Sequence, residues 1–205
     1  MNKKILKNYT DFRKSYKLDY KPLEVDGENI FFEGELVEDA EKKYAEGEKF
    51  LNVGYNFKLS NAKVLSNLYP LEFKFKGKKV KSIEGVLQGI KYQDKKIQNL
   101  VLNYSGIDAY HTRCANSIDF WGNSQLLYWQ GKPIKRDSEE YQLFIDELYI
   151  SALFNPLYKK FLIASGEKYL LHHIGCEDLT QTVLTRYELE LRLNSLRDFV
   201  KKYNL

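Results

Sequence analysis

Between Ser82 and Tyr92 the apolar positions Ile83, Val86, Leu87 and Ile90 recur at i, i+3, i+4 and i+7, the spacing of a helix that buries one stripe. Glu84, Gln88 and Lys91 stack in a second stripe beside it. Gly85 and Gly89 leave a third stripe without side chains, where another backbone or a flat ligand can approach closely. Ser82 suits the N-cap, which places Glu84 in the first turn, where the helix dipole favours an anion. Upstream, Leu71-Glu-Phe73-Lys-Phe75 alternates strictly until Gly77, the pattern of a half-buried strand and turn, and Val80 opens a return strand feeding the helix. This hairpin is expected to be the only sheet-bearing part of the main domain.

Elsewhere helical periods dominate. Residues 1–25 are a weakly helical, basic lead, Asn29 to Glu33 is strand-like, and Glu38 to Lys49 reads as a short exposed helix or solvated loop. Ile97, Leu100, Val101 and Tyr104 predict an amphipathic helix stopped by Ser105-Gly106, with a short helix to follow over Asp108 to Cys114. Asn116 to Gly131 is irregular and aromatic. Asp137 or Ser138 then caps a long helix with Tyr141, Phe144, Ile145, Leu148, Tyr149 and Ala152 on one face. Asn155-Pro156 interrupts, Leu157 to Ala164 forms the next helix, and 167–184 is loop-rich. The last helix opens on Thr185-Arg-Tyr-Glu188, a capping box, with Leu184 and Leu189 as its hydrophobic staple and a seam continuing through Leu193, Leu196 and Val200. The expected class is α+β, mainly α, with a small antiparallel hairpin near the N-terminal half.

Composition narrows this without redirecting it. A chain of 205 residues, 43% hydrophobic and 29% charged, is long enough for one core and too apolar to be largely disordered. The net charge of +4 comes without a long basic tract, so charge alone does not argue for nucleic acid. Cys114 and Cys176 have no metal-ligand spacing and suggest no disulfide framework. The charged N-terminus lacks an apolar signal region and no stretch has the apolar length of a membrane span, so the expected setting is the cytoplasm, with no membrane partner, no metal and no cofactor. Sixteen Tyr and twelve Phe suit a pocket that stacks planar rings, and Lys- and Tyr-rich usage is equally the mark of a low-GC genome.

Several residues are equipped for chemistry. Glu84 sits beside a glycine face, though a glutamate in a first turn is commonly a surface residue complementing the dipole, and Gln88 and Lys91 share that ambiguity. The Asn67 side chain, in the Ser66-to-Pro70 turn, can bond backbone or ligand. Trp129 precedes a basic loop ending at Arg136, able to stack a base and hold a phosphate, and equally ordinary as a core residue before a solvated loop. His172 and His173 are adjacent, so at most one contacts a given ligand. Glu188 has a complete structural role in the capping box. No Gly-rich phosphate loop, nucleophile elbow or metal-binding helix is present.

Ser66-Asn67 before the hairpin containing Phe73, then Ser82-x-Glu84-x-x-x-Gln88 with Lys91 and Tyr92, then Trp129 and the late helix, resemble the YbiA-like NADAR superfamily over residues 61–200. The resemblance implies a YbiA-like domain over 59–205, with 1–58 an N-terminal extension packed on it. It also implies an N-glycosidase cleaving the bond between ribose C1′ and a base nitrogen. The implied substrate is an ADP-ribose-containing nucleotide or an ADP-ribosylated nucleobase such as guanine, with modified nucleic acid or phosphorylated riboflavin-pathway intermediates as alternatives. Glu84 falls on the family's functional glutamate, while Asn67, Ser82, Gln88, Lys91, Trp129 and Arg136 are expected to hold the substrate, Trp129 by stacking and Arg136 at phosphate. Where many members carry a late Asp-x-x-Trp-Gly stretch, this chain has His172-His-Ile-Gly-Cys-Glu177-Asp178, so Glu188 or His173 is expected to substitute for the second group. That departure also motivates a different class of function, a silent binder sequestering an ADP-ribose- or NAD-derived nucleotide in a conflict between virus and host.

Overall fold

The computed structural model describes residues 3–18, 24–26, 29–37, 46–47, 49–55, 60–115 and 120–205. In chain order these form α1 (Lys3–Ser15), β1 (Glu24–Asp26), β2 (Asn29–Phe32), β3 (Glu35–Val37), β4 (Phe50–Asn52), α2 (Ser60–Val64), β5 (Phe73–Phe75), β6 (Lys78–Val80), α3 (Ile83–Gly89), α4 (Lys95–Leu102) and α5 (Gly106–Ala115). There follow α6 (Phe120–Ser124), β7 (Leu126–Trp129), β8 (Lys132–Lys135), α7 (Glu139–Leu153), α8 (Pro156–Ala164), β9 (Tyr169–Leu171) and α9 (Arg186–Tyr203). Helices predominate, as the periodicity predicts, and the fold is α+β, mainly α. The stretch expected to form a helix or loop over Glu38 to Lys49 lies mostly outside the described residues.

The two long helices α7 and α9 supply the centre of the core. Tyr141, Ile145, Leu148 and Tyr149 from α7 are fully buried with Leu193 and Leu196 from α9. Each such large apolar side chain contributes about 1.5–3 kcal/mol relative to remaining exposed. Ser138 caps α7 by accepting from Tyr141 N–H, and Asn155 caps α8 with Pro156 in its first turn. The α9 capping box is formed in full by Thr185 and Glu188, with Leu184 and Leu189 both buried beside it.

The helix α1 packs on α7 and α9, inserting the fully buried Tyr9 into this core. Its Arg13 and Thr10 reach the buried Asp146 of α7 at 2.9 and 3.1 Å, and Arg192 of α9 meets the same carboxylate at 3.2 Å. Further along the N-terminal segment, β4 pairs in parallel with β9, Leu51 opposite Leu170. Of the described residues before position 59, α1 and β4 thus pack on the helices and strand that follow.

The sheets are more numerous than the alternation predicts. The expected hairpin exists as β5–β6, packed on α7. A second hairpin, β7–β8, occupies part of the stretch read as irregular, and β9 lies within the expected loop-rich connection. These strands are three or four residues long, too short for a period of two to stand out. Three turns share one geometry. Glu33-Gly34, Lys76-Gly77 and Gln130-Gly131 all carry two successive positive φ values, as a two-residue type I′ connection requires, and each joins antiparallel strands.

The glycine stripe of α3 turns inward. A Cβ on Gly85 would lie 3.2 Å from the Val101 carbonyl oxygen, and one on Gly89 would lie 3.3 Å from Leu102 Cδ2, so both glycines let α4 pack closely on α3. Among the described residues no helix is long and apolar enough to cross a membrane.

Candidate functional site

With its glycine face committed to α4, α3 presents its polar stripe elsewhere. Glu84, Gln88 and Lys91 line a cavity of about 480 Å³, bounded also by the turn after α2, by α5, and by the segment between β9 and α9. The volume lies in the range of small-molecule sites.

The N-cap geometry fixes Glu84. Ser82 is fully buried and its Oγ accepts from Gly85 N–H at 2.9 Å, which starts the helix one residue before the carboxylate. The Glu84 backbone N–H donates to the Asn67 carbonyl at 3.0 Å, tying the turn after α2 to the same helical end. Glu84 is only 9% exposed, and Gln88 Nε2 donates to its Oε1 at 2.6 Å, one helical turn on. A buried carboxylate with a fixed donor on one oxygen is oriented before any ligand arrives.

Asn67 lines the cavity with its side chain oriented from behind. Its Oδ1 accepts from the Tyr149 hydroxyl at 2.8 Å, and burial raises the Tyr149 pKa well above the ordinary phenol range, keeping that donor protonated. With Oδ1 occupied, Nδ2 takes no hydrogen-bond partner among the described residues. Lys91, in the turn just beyond α3, carries its ammonium 5.2 Å from the Trp121 ring centroid.

A second wall comes from strands. Beyond β4 and β9 the pairing continues, Val53 N–H donating to the Leu171 carbonyl at 2.8 Å, so that Val53, Gly54 and Tyr55 run beside His172 along the cavity. The His172 Nδ1–H donates to the Val53 carbonyl at 2.7 Å. A carbonyl can only accept, so this bond fixes the tautomer and leaves a lone pair on Nε2. Burial lowers the His172 pKa from its ordinary value of 6.5, and the bond to Val53 only partly opposes this, so the ring is neutral at pH 7. Its backbone N–H donates to Glu190 Oε1 at 2.8 Å. Burial raises the Glu190 pKa, and the bonds from His172 and Tyr169 partly offset the rise.

Tyr110 and His111 add rings from α5, and Arg186 adds a cation at the start of α9, its Nε donating to Glu177 Oε1 at 3.2 Å. Among the described residues Glu84 is the one carboxylate in this lining, and no group of three or more His, Cys, Asp or Glu side chains is placed to hold a metal ion.

Of the expected site residues, the fold brings together Asn67, Glu84, Gln88 and Lys91 and leaves the others outside the lining. Ser82 lies beneath the site as the cap of α3. Trp129 packs with Phe75 and Phe144, centroids 5.1 and 5.4 Å away, because the β7–β8 hairpin turns its indole toward β5 and α7. Arg136 is 1% exposed and forms a two-pronged ion pair with Glu188, Nη1 to Oε1 at 3.0 Å and Nη2 to Oε2. Glu188 also accepts from Gln142 at 2.7 Å and from Thr185 N–H at 2.8 Å. Burial alone would raise the Glu188 pKa, but Arg136 and these donors outweigh it and hold the carboxyl below its ordinary value. Both residues therefore hold each other as buried partners, away from the cavity lining. His173, in the turn after β9, lies outside the lining, its Nδ1 2.5 Å from Asn52 Nδ2.

Tyr55, His172 and Arg186 also line the cavity and are not among the residues expected there. Of these only His172 carried a signal, as one of two candidates in an adjacent pair.

Comparison with known proteins places the chain by fold and by family. The solved NMR structure of the E. coli protein YbiA matches with a TM-score of 0.50 at 16% identity, over 79% of this chain and 90% of that one. The YbiA-like fold expected from the resemblance is therefore found. No curated protein matches the chain. The family model described as Bacteriophage protein GP30.3 matches residues 60–198, a span that holds Asn67 and the whole of α3 with its carboxylate. This chain belongs to the bacteriophage protein GP30.3 family.

Proposed function

We propose that the protein is an N-glycosidase acting on an ADP-ribose-type conjugate, such as ADP-ribosylated guanine free or within nucleic acid, at the cavity lined by Glu84. The observation that carries this reading is the buried Glu84 carboxylate, held by Gln88 and facing a cavity of about 480 Å³ with Lys91 and Arg186 in the same lining. Breaking a C1′–N bond sends its electron pair to the base nitrogen and leaves positive charge on the sugar ring. A preoriented carboxylate stabilises that charge most where water is scarce. Water then adds to C1′, its proton passing to Glu84 and on to the leaving base, so the step needs no redox partner. Lys91 and Arg186 complement phosphate charge, and the Asn67 Nδ2 group is available to a sugar hydroxyl.

The test is incubation with ADP-ribosylated guanosine and chromatography of released ADP-ribose. Release by the wild type, reduced at least a hundredfold in Glu84→Gln, is the expected result. Full activity in Glu84→Gln would remove the residue from the mechanism. A phosphorylated riboflavin intermediate run in parallel identifies the alternative substrate.

A second reading, a binder that sequesters the nucleotide without turnover, is favoured by Glu84 being the one carboxylate in the lining among the described residues. It predicts tight calorimetric binding with the ligand unchanged after long incubation.

A further inference from the structure

The second wall has no part in the chemistry at Glu84, yet it is the more elaborately built. Val53 to Tyr55 precede the span matched by the family model, which begins at residue 60, and they reach the cavity because the β4–β9 pairing carries them there. His172 is held at three points. Its ring donates to Val53 and its backbone N–H donates to Glu190. Its edge abuts Gly175, where an added Cβ would come within 3.0 Å of His172 Cδ2. Nδ1 being occupied, Nε2 is an acceptor with no hydrogen-bond partner among the described residues. Tyr55, two residues from the carbonyl that holds His172, carries the Lys63 ammonium 4.9 Å from its centroid and lies in the cavity lining, and a tyrosine ring is a stacking surface for a planar group.

We infer that Tyr55 and His172 form a subsite for a purine ring bearing an amino group, the ring stacking on Tyr55 and the amino N–H donating to His172 Nε2. The inference rests on the reading of the cavity as a nucleotide site and names what selects the base. A stacking face tolerates any base, whereas a neutral imidazole with one lone pair accepts only from a ring that carries a donor at its edge. Trp129, which occupies an aromatic cluster outside the lining, is not needed for stacking.

Calorimetry with three probes tests this: adenosine 5′-monophosphate, the purine riboside 5′-monophosphate that lacks the amino group, and ribose 5-phosphate, which lacks the ring. Tyr55→Ala is expected to weaken both ring-bearing probes about tenfold or more while leaving ribose 5-phosphate within about twofold, and Tyr55→Phe to restore them. His172→Phe is expected to abolish the preference for the amino-bearing probe over its deaminated analogue. Equal weakening of all three probes in Tyr55→Ala would mean a merely structural role and overturn the inference. So would unchanged binding of the ring-bearing probes, an amino preference that survives His172→Phe, or failure of the wild type to bind adenosine 5′-monophosphate. None of these readouts involves turnover, so a negative glycosidase assay leaves this result standing and the converse holds too.

Discussion

At the scale of single residues, burial together with partners separates groups available for chemistry from groups already committed. Glu84 and Glu188 each lie in the first turn of a helix and each are 9% exposed, so exposure alone does not distinguish them. Glu84 faces a cavity, whereas Glu188 spends its oxygens on Arg136, Gln142 and Thr185. Glu188→Gln should leave the buried Arg136 without its counter-ion and lower the unfolding free energy by about 3 kcal/mol in urea titration. Folded variant protein should keep its cavity binding, because Glu188 does not line the cavity. Normal stability with lost turnover would instead make Glu188 a catalytic group. The pH dependence carries a definite sign. The folded-state pKa of Glu188 lies below its ordinary value of 4.5, so the unfolded chain binds more protons in that window. The stabilisation is complete above pH 4.5 and fades as pH falls through the folded-state value, and this part of the acid limb should be missing in Glu188→Gln. The capping-box role was legible in Thr185-x-x-Glu188. The ion pair was not, because Arg136 meets Glu188 only after the chain has folded.

At the scale of elements, α3 is where sequence and structure agree most closely. Ser82 as cap, the buried apolar stripe and the wet-looking stripe of Glu84, Gln88 and Lys91 could all be read from spacing. Which neighbours each stripe meets could not. The glycines serve close packing on α4, so Gly85→Ala should destabilise even though alanine is the better helix former, because the new methyl meets the Val101 carbonyl, which has no free rotamer to move into. Thermal melting of the variant above the wild type would contradict this. Ser82→Ala should lower stability by about 1 kcal/mol through loss of the cap. The β7–β8 hairpin was hidden for a local reason. Its turn is Gln130-Gly131 rather than Asn-Gly, and Pro133 interrupts the alternation of its second strand.

At the scale of the whole molecule, pairings between distant segments decide the site. The resemblance that pointed to Glu84 covers residues 61–200 and implies that 1–58 is an N-terminal extension packed on the main domain. Among the described residues of that segment, Val53 to Tyr55, just beyond β4, line one side of the cavity, and α1 packs on the core through Tyr9 and the Asp146 cluster. Such contacts leave no trace in a local period, since a three-residue parallel pair reads as any short apolar run. Asp146→Ala should therefore destabilise by about 3–5 kcal/mol, leaving Arg192 buried without its carboxylate and weakening the hold on α1. Urea titration followed by tryptophan fluorescence measures the loss, and a change under about 1 kcal/mol would show that the cluster does not anchor the helix.

The proposed chemistry requires a sugar's anomeric carbon to lie against the Glu84 carboxylate. A crystal structure of the protein soaked with ADP-ribose tests it most directly. The predicted result is the terminal ribose seated in the cavity, its anomeric carbon within about 3.5 Å of a Glu84 oxygen or joined to it through one water. ADP-ribose bound elsewhere, or bound in the cavity with that carbon turned away from Glu84, would contradict the assignment.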